Sequence, residues 1–329
     1  MNAASTATTW QATLGIAGEE MNKVVMVTIV KNEAPYILEW LLFYIELGFR
    51  HFVIFDNESS DETARLIDSA KHLANVRTIR WPTNSDLSPQ LSAYNEFLQT
   101  YKGDFEFAAF LDADEFICPT AGVTVEEFFD SVPPDVGAIA LNQRVYGSSG
   151  RLSYEPRLVI ERFSCCAEVD YAENRFFKTI YRISAISEIV NVHASPLLRG
   201  RYVHPNMKDV QHDITYTGTS QFIDYSLFQL NHYILKSKEE FERKRIRGGA
   251  ASWLTTERAA RYDEWFFTAR EIEINRSVSN VAEKWISAVI GQIQLLAECP
   301  HSNASALSIK RYYKDSLDGF RNPTAGAAL

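Results

Sequence analysis

Strands and helices alternate over the first 115 residues, and this alternation restricts the possible folds more than any other feature. The β-branched run Val24–Val30 predicts a strand, and the helical pattern from Pro35 to Leu47 ends at Gly48. Further elements follow in the same order: strands at 51–55, 76–81 and up to Asp112, with helices over 61–71 and around Gln90. Such alternation gives neighbouring parallel strands. We therefore expect an α/β fold with a mainly parallel, Rossmann-like sheet, helices on both faces and a C-terminal helical extension.

The chain divides into one large domain with less regular ends. Capping-box spacing marks two predicted helix starts, at Ser59 with Glu62 and at Thr124 with Glu127. Ala, Thr and Ser dominate the first residues, and Gly, Ala, Asn and Pro dominate the last. The expected parts are a disordered leader at 1–22, a domain at 23–275 with halves 23–117 and 118–275, a helical extension at 276–315 and a disordered tail at 316–329.

The composition is that of a globular protein without affinity for nucleic acid. A hydrophobic fraction of 46% supports a large core, and the formal net charge of −9 argues against a polyanionic partner. Four cysteines without metal-ligand spacing indicate free thiols in a reducing compartment. A signal-peptide pattern is absent, as is an apolar run of roughly 18 residues. We expect a cytoplasmic protein without a transmembrane segment, with peripheral contact to the inner membrane left open.

The fourth predicted strand ends in two carboxylates, Asp112 and Asp114, which flank Ala113 and precede Glu115. Carboxylates at the end of a buried strand repel one another unless a cation lies between them. Ligands of open α/β sheets bind at this edge. The Asp-x-Asp motif therefore indicates a bound divalent metal at this edge of the sheet. The alternative is a polar corner that leads from the strand into the next turn.

Other polar residues are predicted at the same edge. Lys31, Asn32 and Glu33 follow the first strand, where they could meet a nucleobase or diphosphate, or where Asn32 could simply cap a helix. Asp56 and Asn57 follow the second strand, where a carboxylate can accept from ribose hydroxyl groups, although turn chemistry selects the same residue types.

A fourth polar group lies far downstream, around His232. This histidine precedes a charged helix in which Arg243 and Arg247 are i, i+4 neighbours that can converge on one anion. A lone histidine and a helix of mixed charge are also common without any ligand. Coincidence with the other strand ends favours a role in the site.

These motifs together resemble glycosyltransferase family 92 and related family-2-like glycosyltransferases, including galactan-synthase-like members. The resemblance covers about 24–275 and rests on ordered motifs: Val27–Glu33, Tyr36–Tyr44 with Gly48, Asp56-Asn57 with Ser59 and Asp61, Phe110–Phe116, and Asn231–Phe241. It implies a GT-A fold and transfer of a hexosyl group from a nucleoside diphosphate sugar, with a UDP-sugar favoured, to a carbohydrate acceptor. Such enzymes serve polysaccharide biosynthesis.

The resemblance also implies roles for individual residues. Asp112, Asp114 and His232 would hold Mn²⁺, or Mg²⁺, since a mixed carboxylate and imidazole set favours manganese. The residues expected to contact the donor nucleotide are Lys31, Asn32, Glu33, Asp56, Asn57, Gln90, Asn95, Asp112, Ala113, Lys236 and Arg247. The resemblance suggests inversion at the anomeric carbon, which requires a carboxylate base. The resemblance assigns the second half, 118–275, to the acceptor, and among its carboxylates Asp209 and Glu188 are preferred for their separation from Asp114 in the sequence.

Several alternatives remain open at this point. A haloacid-dehalogenase-type phosphohydrolase would need its Asp-x-Asp on the first strand, which instead ends in Lys31, Asn32 and Glu33. A sugar nucleotidyltransferase would need a glycine-rich basic loop there. A catalytically inactive carbohydrate- or nucleotide-binding protein of the same fold is the third alternative. The apolar stripe of the 278–297 helix packs on the domain or on a second subunit, and so offers a surface for a homodimer.

Overall fold

A computed structural model describes residues 23–83, 88–212, 218–247, 264–298 and 303–321. The strands are β1 (Val24–Val30), β2 (His51–Asp56), β3 (Asn75–Arg80), β4 (Phe107–Phe110), β5 (Glu115–Pro119), β6 (Val136–Val145), β7 (Cys165–Cys166), β8 (Phe177–Arg182), β9 (Arg201–Val203), β10 (Phe228–His232) and β11 (Ser277–Val278). The helices are α1 (Ile37–Leu47), α2 (Thr63–Ser69), α3 (Pro89–Tyr101), α4 (Val125–Ser131), α5 (Val159–Arg162), α6 (Lys238–Arg247), α7 (Glu264–Ile274), α8 (Glu283–Glu298) and α9 (Asn303–Arg321).

One sheet of nine strands organises the molecule. Its order is β3-β2-β1-β4-β8-β6-β10-β5, and β9 pairs with β6. The four strands β3, β2, β1 and β4 are parallel to one another. Strand β8 runs antiparallel to both β4 and β6. The mainly parallel α/β architecture is therefore confirmed. Its first half has the purely parallel order that strand-helix alternation predicts.

The two faces of β1 bury different helices. Met26 packs into a core cluster with α1, whereas Val25 and Val27 pack into a second cluster with α3. Successive side chains of a strand point to opposite faces, so a continuous apolar strand needs cover on both. Helices therefore lie on both faces of the sheet, as predicted.

The C-terminal helices complete one of these clusters. Val289, Ile293 and Leu296 of α8 are buried, and Trp285 meets Phe43 of α1 with ring centroids 5.8 Å apart. The helix begins at Glu283 and not at 278, because Val278 lies exposed in β11. From Val289 to Leu296 the predicted apolar stripe is covered within the chain, and its use as a dimer surface is not supported.

The tail expected to be disordered from residue 316 continues as helix α9 to Arg321, because Leu317 is buried in the same cluster. The proposed leader, 1–22, lies outside the described residues. Within the described ranges, no helix has the length and apolar character that crossing a membrane requires. Cys118, Cys165 and Cys166 are free thiols, and Cys299 lies outside the described residues.

Candidate functional site

The corner between β1 and α1 is fixed by contacts with the loop that follows β2. Asn32 adopts a left-handed backbone with φ 52°. Its backbone N–H donates to Ser59 Oγ at 2.9 Å, and its side-chain oxygen accepts from the Ser60 N–H at 2.7 Å. Asp61 Oδ2 accepts from the Ala34 N–H at 3.1 Å. The ends of β1 and β2 therefore form one rigid polar edge.

The predicted capping box of Ser59 and Glu62 is wrong. Helix α2 begins at Thr63, and its N-cap residue Glu62 makes no capping hydrogen bond with its side chain. Ser59 instead holds Asn32, because the loop after β2 joins β1 before it enters the helix. The capping box at Thr124 and Glu127 is confirmed.

Asp56 and Asn57 shape the end of β2. Asp56 Oδ1 accepts from the Ser59 N–H at 3.0 Å, and the Asp56 side chain keeps part of its surface exposed. Asn57 is buried, and its Nδ2 donates to the Trp81 carbonyl oxygen and to Thr83 Oγ1 at 2.9 and 3.0 Å. Asp56 can therefore meet a ligand, while Asn57 joins β2 to the end of β3.

Asp112 is neutralised by a buried lysine. Its Oδ2 accepts from Lys178 Nζ at 2.8 Å, and its Oδ1 accepts from Gln90 Nε2 at 2.6 Å. Burial alone would raise the pKa of Asp112, but the Lys178 ammonium group outweighs burial and lowers the pKa below its ordinary value. Asp112 is thus an anion whose side chain remains 35% exposed.

Glu115, the third carboxylate, contacts both Asp112 and Lys178. It is fully buried, accepts from the Asp112 N–H at 2.9 Å and lies 3.5 Å from Lys178 Nζ. Burial raises the pKa of Glu115 to about 8. Its position behind the strand end makes it a structural partner of Lys178.

Asp114 faces three nitrogen-bearing side chains. Its Oδ2 lies 2.6 Å from Lys244 Nζ and 3.8 Å from Lys236 Nζ, and its Oδ1 lies 3.8 Å from His232 Nε2. Burial alone would raise the pKa of Asp114, but Lys244 and then Lys236 lower it well below its usual range. Asp114 is therefore ionised in a mainly cationic environment.

His232 has a lone pair that faces Asp114. Its Nδ1 donates to Gln143 Oε1 at 2.8 Å, and burial lowers the pKa of the imidazole to about 4, so the ring is neutral near pH 7. Its Nε2 and Asp114 Oδ1 are then two acceptors that face each other across 3.8 Å. An imidazole fixed through its other nitrogen is the usual form of a histidine metal ligand.

Asp114 and His232 therefore suit a cation, but Asp112 does not complete a cluster with them. In the described part of the chain, no three carboxylate, imidazole or thiolate groups are arranged to hold a metal ion. Asp112 is engaged by Lys178 and Gln90 instead.

A cavity of about 290 Å³ lies beside Asp114. Lys236 and Lys244, the two lysines that face Asp114, form part of one wall. Its lining residues are Asn32, Glu33, Pro35, Tyr36, Asp61, Leu235, Lys236, Glu240, Arg243, Lys244 and Tyr312. The cavity thus joins the β1 corner, helix α6 and helix α9, and it has enough space for part of a nucleotide.

The remaining predicted donor residues are distributed around this edge. Lys31 is half-buried at the β1 corner, and Ala113 is buried between the two aspartates. Asn95 holds a different segment, because its Oδ1 accepts from the Ile189 N–H and its Nδ2 donates to the Ile189 carbonyl oxygen, at 2.8 and 2.9 Å. Arg247 ends α6, and its side chain lies outside the described residues.

The two predicted base residues lie at the surface. Asp209 is exposed and pairs with Arg201 at 2.7 Å, and Glu188 is also exposed. Among the described residues, no hydrogen bond or ion pair connects Asp209 or Glu188 to Asp112 or Asp114.

Sequence reasoning missed several residues that build the site. Lys244 was a cation on a helix of mixed charge, and Gln143 lies in the interior of β6. Lys178, in the interior of β8, pairs with Asp112. The available signal was a lysine between hydrophobic residues of the segment Phe177–Arg182, because a buried lysine requires a countercharge.

Comparison with known proteins matches most of the chain to one family. The family model described as Glycosyltransferase family 92 matches residues 24–247. A glycosyltransferase family 92 protein of Oryza sativa subsp. japonica is 24% identical over 247 residues, which are 72% of this chain and 38% of that protein. One from Arabidopsis thaliana is 27% identical over 151 residues, which are 42% of this chain and 25% of that protein. The chain spans less than half the length of these relatives.

Among solved structures, S. aureus TarS 1-349 in complex with UDP-GlcNAc superposes with a TM-score of 0.37 and 15% identity. That match covers 92% of each chain.

Proposed function

Because the chain belongs to glycosyltransferase family 92, we propose that it transfers a hexosyl group from a nucleoside diphosphate sugar, preferably a UDP-sugar, to a hydroxyl group of a carbohydrate acceptor. The proposed transfer depends on a divalent metal ion, inverts the anomeric carbon and serves polysaccharide biosynthesis. We expect the enzyme to work on the cytoplasmic side of the membrane.

One observation carries this proposal. Asp112 and Asp114 lie between β4 and β5, and the cavity at the corner after β1 is lined by Lys236 and Lys244, which face Asp114. A diphosphate leaving group needs cations where its charge increases, and preorganised charges of this kind usually contribute most to catalysis. The two lysines can supply part of that charge directly.

The proposed metal position lies between Asp114 and His232. Their Oδ1 and Nε2 atoms are 3.8 Å apart, and Gln143 fixes the histidine tautomer. When bound, Mn²⁺ or Mg²⁺ would act as a Lewis acid on the donor diphosphate. Asp112 stays a prediction as the third ligand, because Lys178 and Gln90 already donate hydrogen bonds to its two carboxylate oxygens.

The remaining donor contacts are proposed at the β1 and β2 ends. Asp56 and Glu33 are proposed to accept hydrogen bonds from the nucleoside, since Glu33 lines the cavity and Asp56 holds the Ser59 N–H at the same edge. Gln90 orients the Asp112 carboxylate through its hydrogen bond of 2.6 Å. Asp209 and Glu188 stay predictions for the carboxylate that accepts the acceptor's proton.

The decisive variant is Asp114→Asn, which removes the charge and keeps the shape. We expect UDP with Mn²⁺ to raise the Tm of the unchanged protein by roughly 5 °C when the nucleotide is at about 100 times its Kd. The variant should lose this shift, measured against its own unliganded baseline. GDP, both nucleotide sugars and metal-free samples test which nucleotide binds and whether the metal is required.

Asp104→Asn is the matched control, because Asp104 is exposed and lies just before β4, at the end of the strand away from Asp114. Its Tm shift should equal that of the unchanged protein. If UDP, GDP and their sugars all leave the Tm unchanged, the transferase proposal fails. Binding without sugar transfer or donor hydrolysis would favour the non-catalytic alternative.

A further inference from the structure

Helix α9 lies beyond the residues that match the family, yet it is attached to the first half of the domain, 23–117. Ser308 Oγ donates to Glu62 Oε1 at 2.8 Å, and Arg311 Nη1 donates to Glu62 Oε2 at 3.1 Å. The Tyr313 hydroxyl accepts from the Glu39 N–H at 3.2 Å. These contacts hold the helix against the elements that follow β1 and β2.

The helix directs one aromatic side chain toward the cavity beside Asp114. It is kinked at Tyr313, where φ is −129° and ψ is 16°. The preceding Tyr312 carbonyl oxygen accepts from the Tyr154 hydroxyl at 3.2 Å. The half-buried Tyr312 side chain lines the cavity together with Asp61. The hydrogen bond from Tyr154 therefore holds the Tyr312 backbone, and the Tyr312 side chain faces the cavity.

The cavity has chemically different walls. Lys236 and Lys244 contribute ammonium groups, and both face Asp114. Tyr312 lies beside carboxylates, because burial and then Glu62 and Asp61 raise the pKa of its phenol. A nucleoside diphosphate has matching ends: an anionic diphosphate for the lysines, and a flat nucleobase for an aromatic ring.

We propose that Tyr312 is a donor-binding residue whose ring stacks on the nucleobase, so that the C-terminal helix completes the nucleotide site. This inference rests on the proposed transferase function and adds a residue from outside the matched region 24–247. Stacking requires the ring and does not require its hydroxyl group. The diphosphate contacts of Lys236 and Lys244 are independent of it.

Titration calorimetry in the presence of Mn²⁺ tests the inference with two probes, UDP and inorganic pyrophosphate. Tyr312→Ala should bind UDP about tenfold more weakly, the effect of losing one stacked base. Pyrophosphate affinity should be unchanged, because this probe has no nucleobase. Tyr312→Phe should bind UDP as the unchanged protein does.

Phe320→Ala is the matched control, since Phe320 is an exposed aromatic residue on the same helix and does not line the cavity. Its UDP affinity should not change. If Tyr312→Ala binds UDP as tightly as the unchanged protein does, the stacking inference fails and the proposed function stands. The same conclusion follows if Tyr312→Ala loses UDP affinity and pyrophosphate affinity equally. If the unchanged protein binds neither UDP nor GDP, both this inference and the proposed function fail.

Discussion

At the scale of single residues, charge compensation decides the arrangement of the site. The buried lysine Lys178 neutralises Asp112, and Lys244 neutralises Asp114, at 2.8 and 2.6 Å. A buried carboxylate without a countercharge would be too costly, so each aspartate has a cation of the chain itself. His232 differs, because burial keeps it neutral and its free lone pair faces an anion. His232 is therefore the residue that most favours a metal, because it is neutral and its lone pair faces Asp114.

His232→Gln should abolish most of the Mn²⁺-dependent part of the UDP thermal shift. Burial lowers the pKa of His232 to about 4, so the unprotonated imidazole persists well below the ordinary histidine range. The shift in the unchanged protein should therefore survive from about pH 7.5 to about pH 5.5, where an ordinary histidine would be mostly protonated. It should decline only as the pH approaches 4.

Melting curves with and without Mn²⁺ at both pH values measure this. His51→Gln is the control, because burial also lowers the pKa of His51 to about 4 but His51 begins β2 at the far end of the strand. A metal effect that persists in His232→Gln would exclude histidine ligation.

At the scale of elements, a buried polar network positions helix α6, which carries Lys244. Arg162 donates to both Glu240 carboxylate oxygens, at 2.7 and 2.8 Å, and both side chains are almost fully buried. Tyr36 also donates to Glu240 at 2.9 Å, and the Glu240 N–H donates to Ser237 Oγ at 3.3 Å. The helix start is therefore tied to α5 and to the β1 corner. Displacing it would move Lys244 away from Asp114.

Arg162→Met should destabilise the protein by about 3–5 kcal/mol, because it leaves Glu240 buried without its cation. Nucleotide affinity should fall as well, since α6 carries Lys244. Urea unfolding and UDP titration measure the two effects.

Arg157→Met offers the comparison, because Arg157 pairs with Glu161 in the same region but is 36% exposed. Exposed pairs contribute about 1 kcal/mol or less, so its cost should be small. Similar costs for the two variants would contradict the role assigned to the buried pair.

At the scale of the whole molecule, the C-terminal helices belong to the main core. The buried face of α8 covers α1, and Gln292 Nε2 donates to Glu46 Oε1 at 2.9 Å. Helix α9 packs on both α8 and α2. The segments beyond the matched region therefore contribute to the stability of the first half of the domain, and the apolar stripe is already used within one chain.

Ile293→Ala should lower the free energy of unfolding by about 2–5 kcal/mol, because Ile293 is completely buried in the core between α8 and α1. The molar mass in solution should equal that of the unchanged protein, since the stripe is not an interface. Urea unfolding and light scattering measure the two quantities.

Leu295→Ala provides the control, because Leu295 is 65% exposed on the same helix. Its effect should stay within about 0.5 kcal/mol. A change in molar mass with Ile293→Ala would instead assign the stripe to a dimer.

Local pattern was sufficient for most elements of the first half. The β-branched run before Lys31 and the apolar run before Asp112 become strands, because such segments have few alternatives to a buried sheet. Pattern failed where a side chain had two possible partners. Ser59 had the spacing of a helix cap and instead bonds Asn32, which is 27 residues away. Spacing along the chain cannot rank a local partner against a distant one.

The sequence by itself determined the parallel sheet half, the Asp112–Asp114 edge and the family to which the chain belongs. These features depend on short-range periodicity and on the order of motifs, both of which can be read from the sequence directly. Only the tertiary structure decided that Lys178 and Lys244 pair with the two aspartates and that Tyr312 reaches the same cavity. The reason is physical: a buried charge requires a partner, but which partner it meets depends on how segments far apart in sequence pack together.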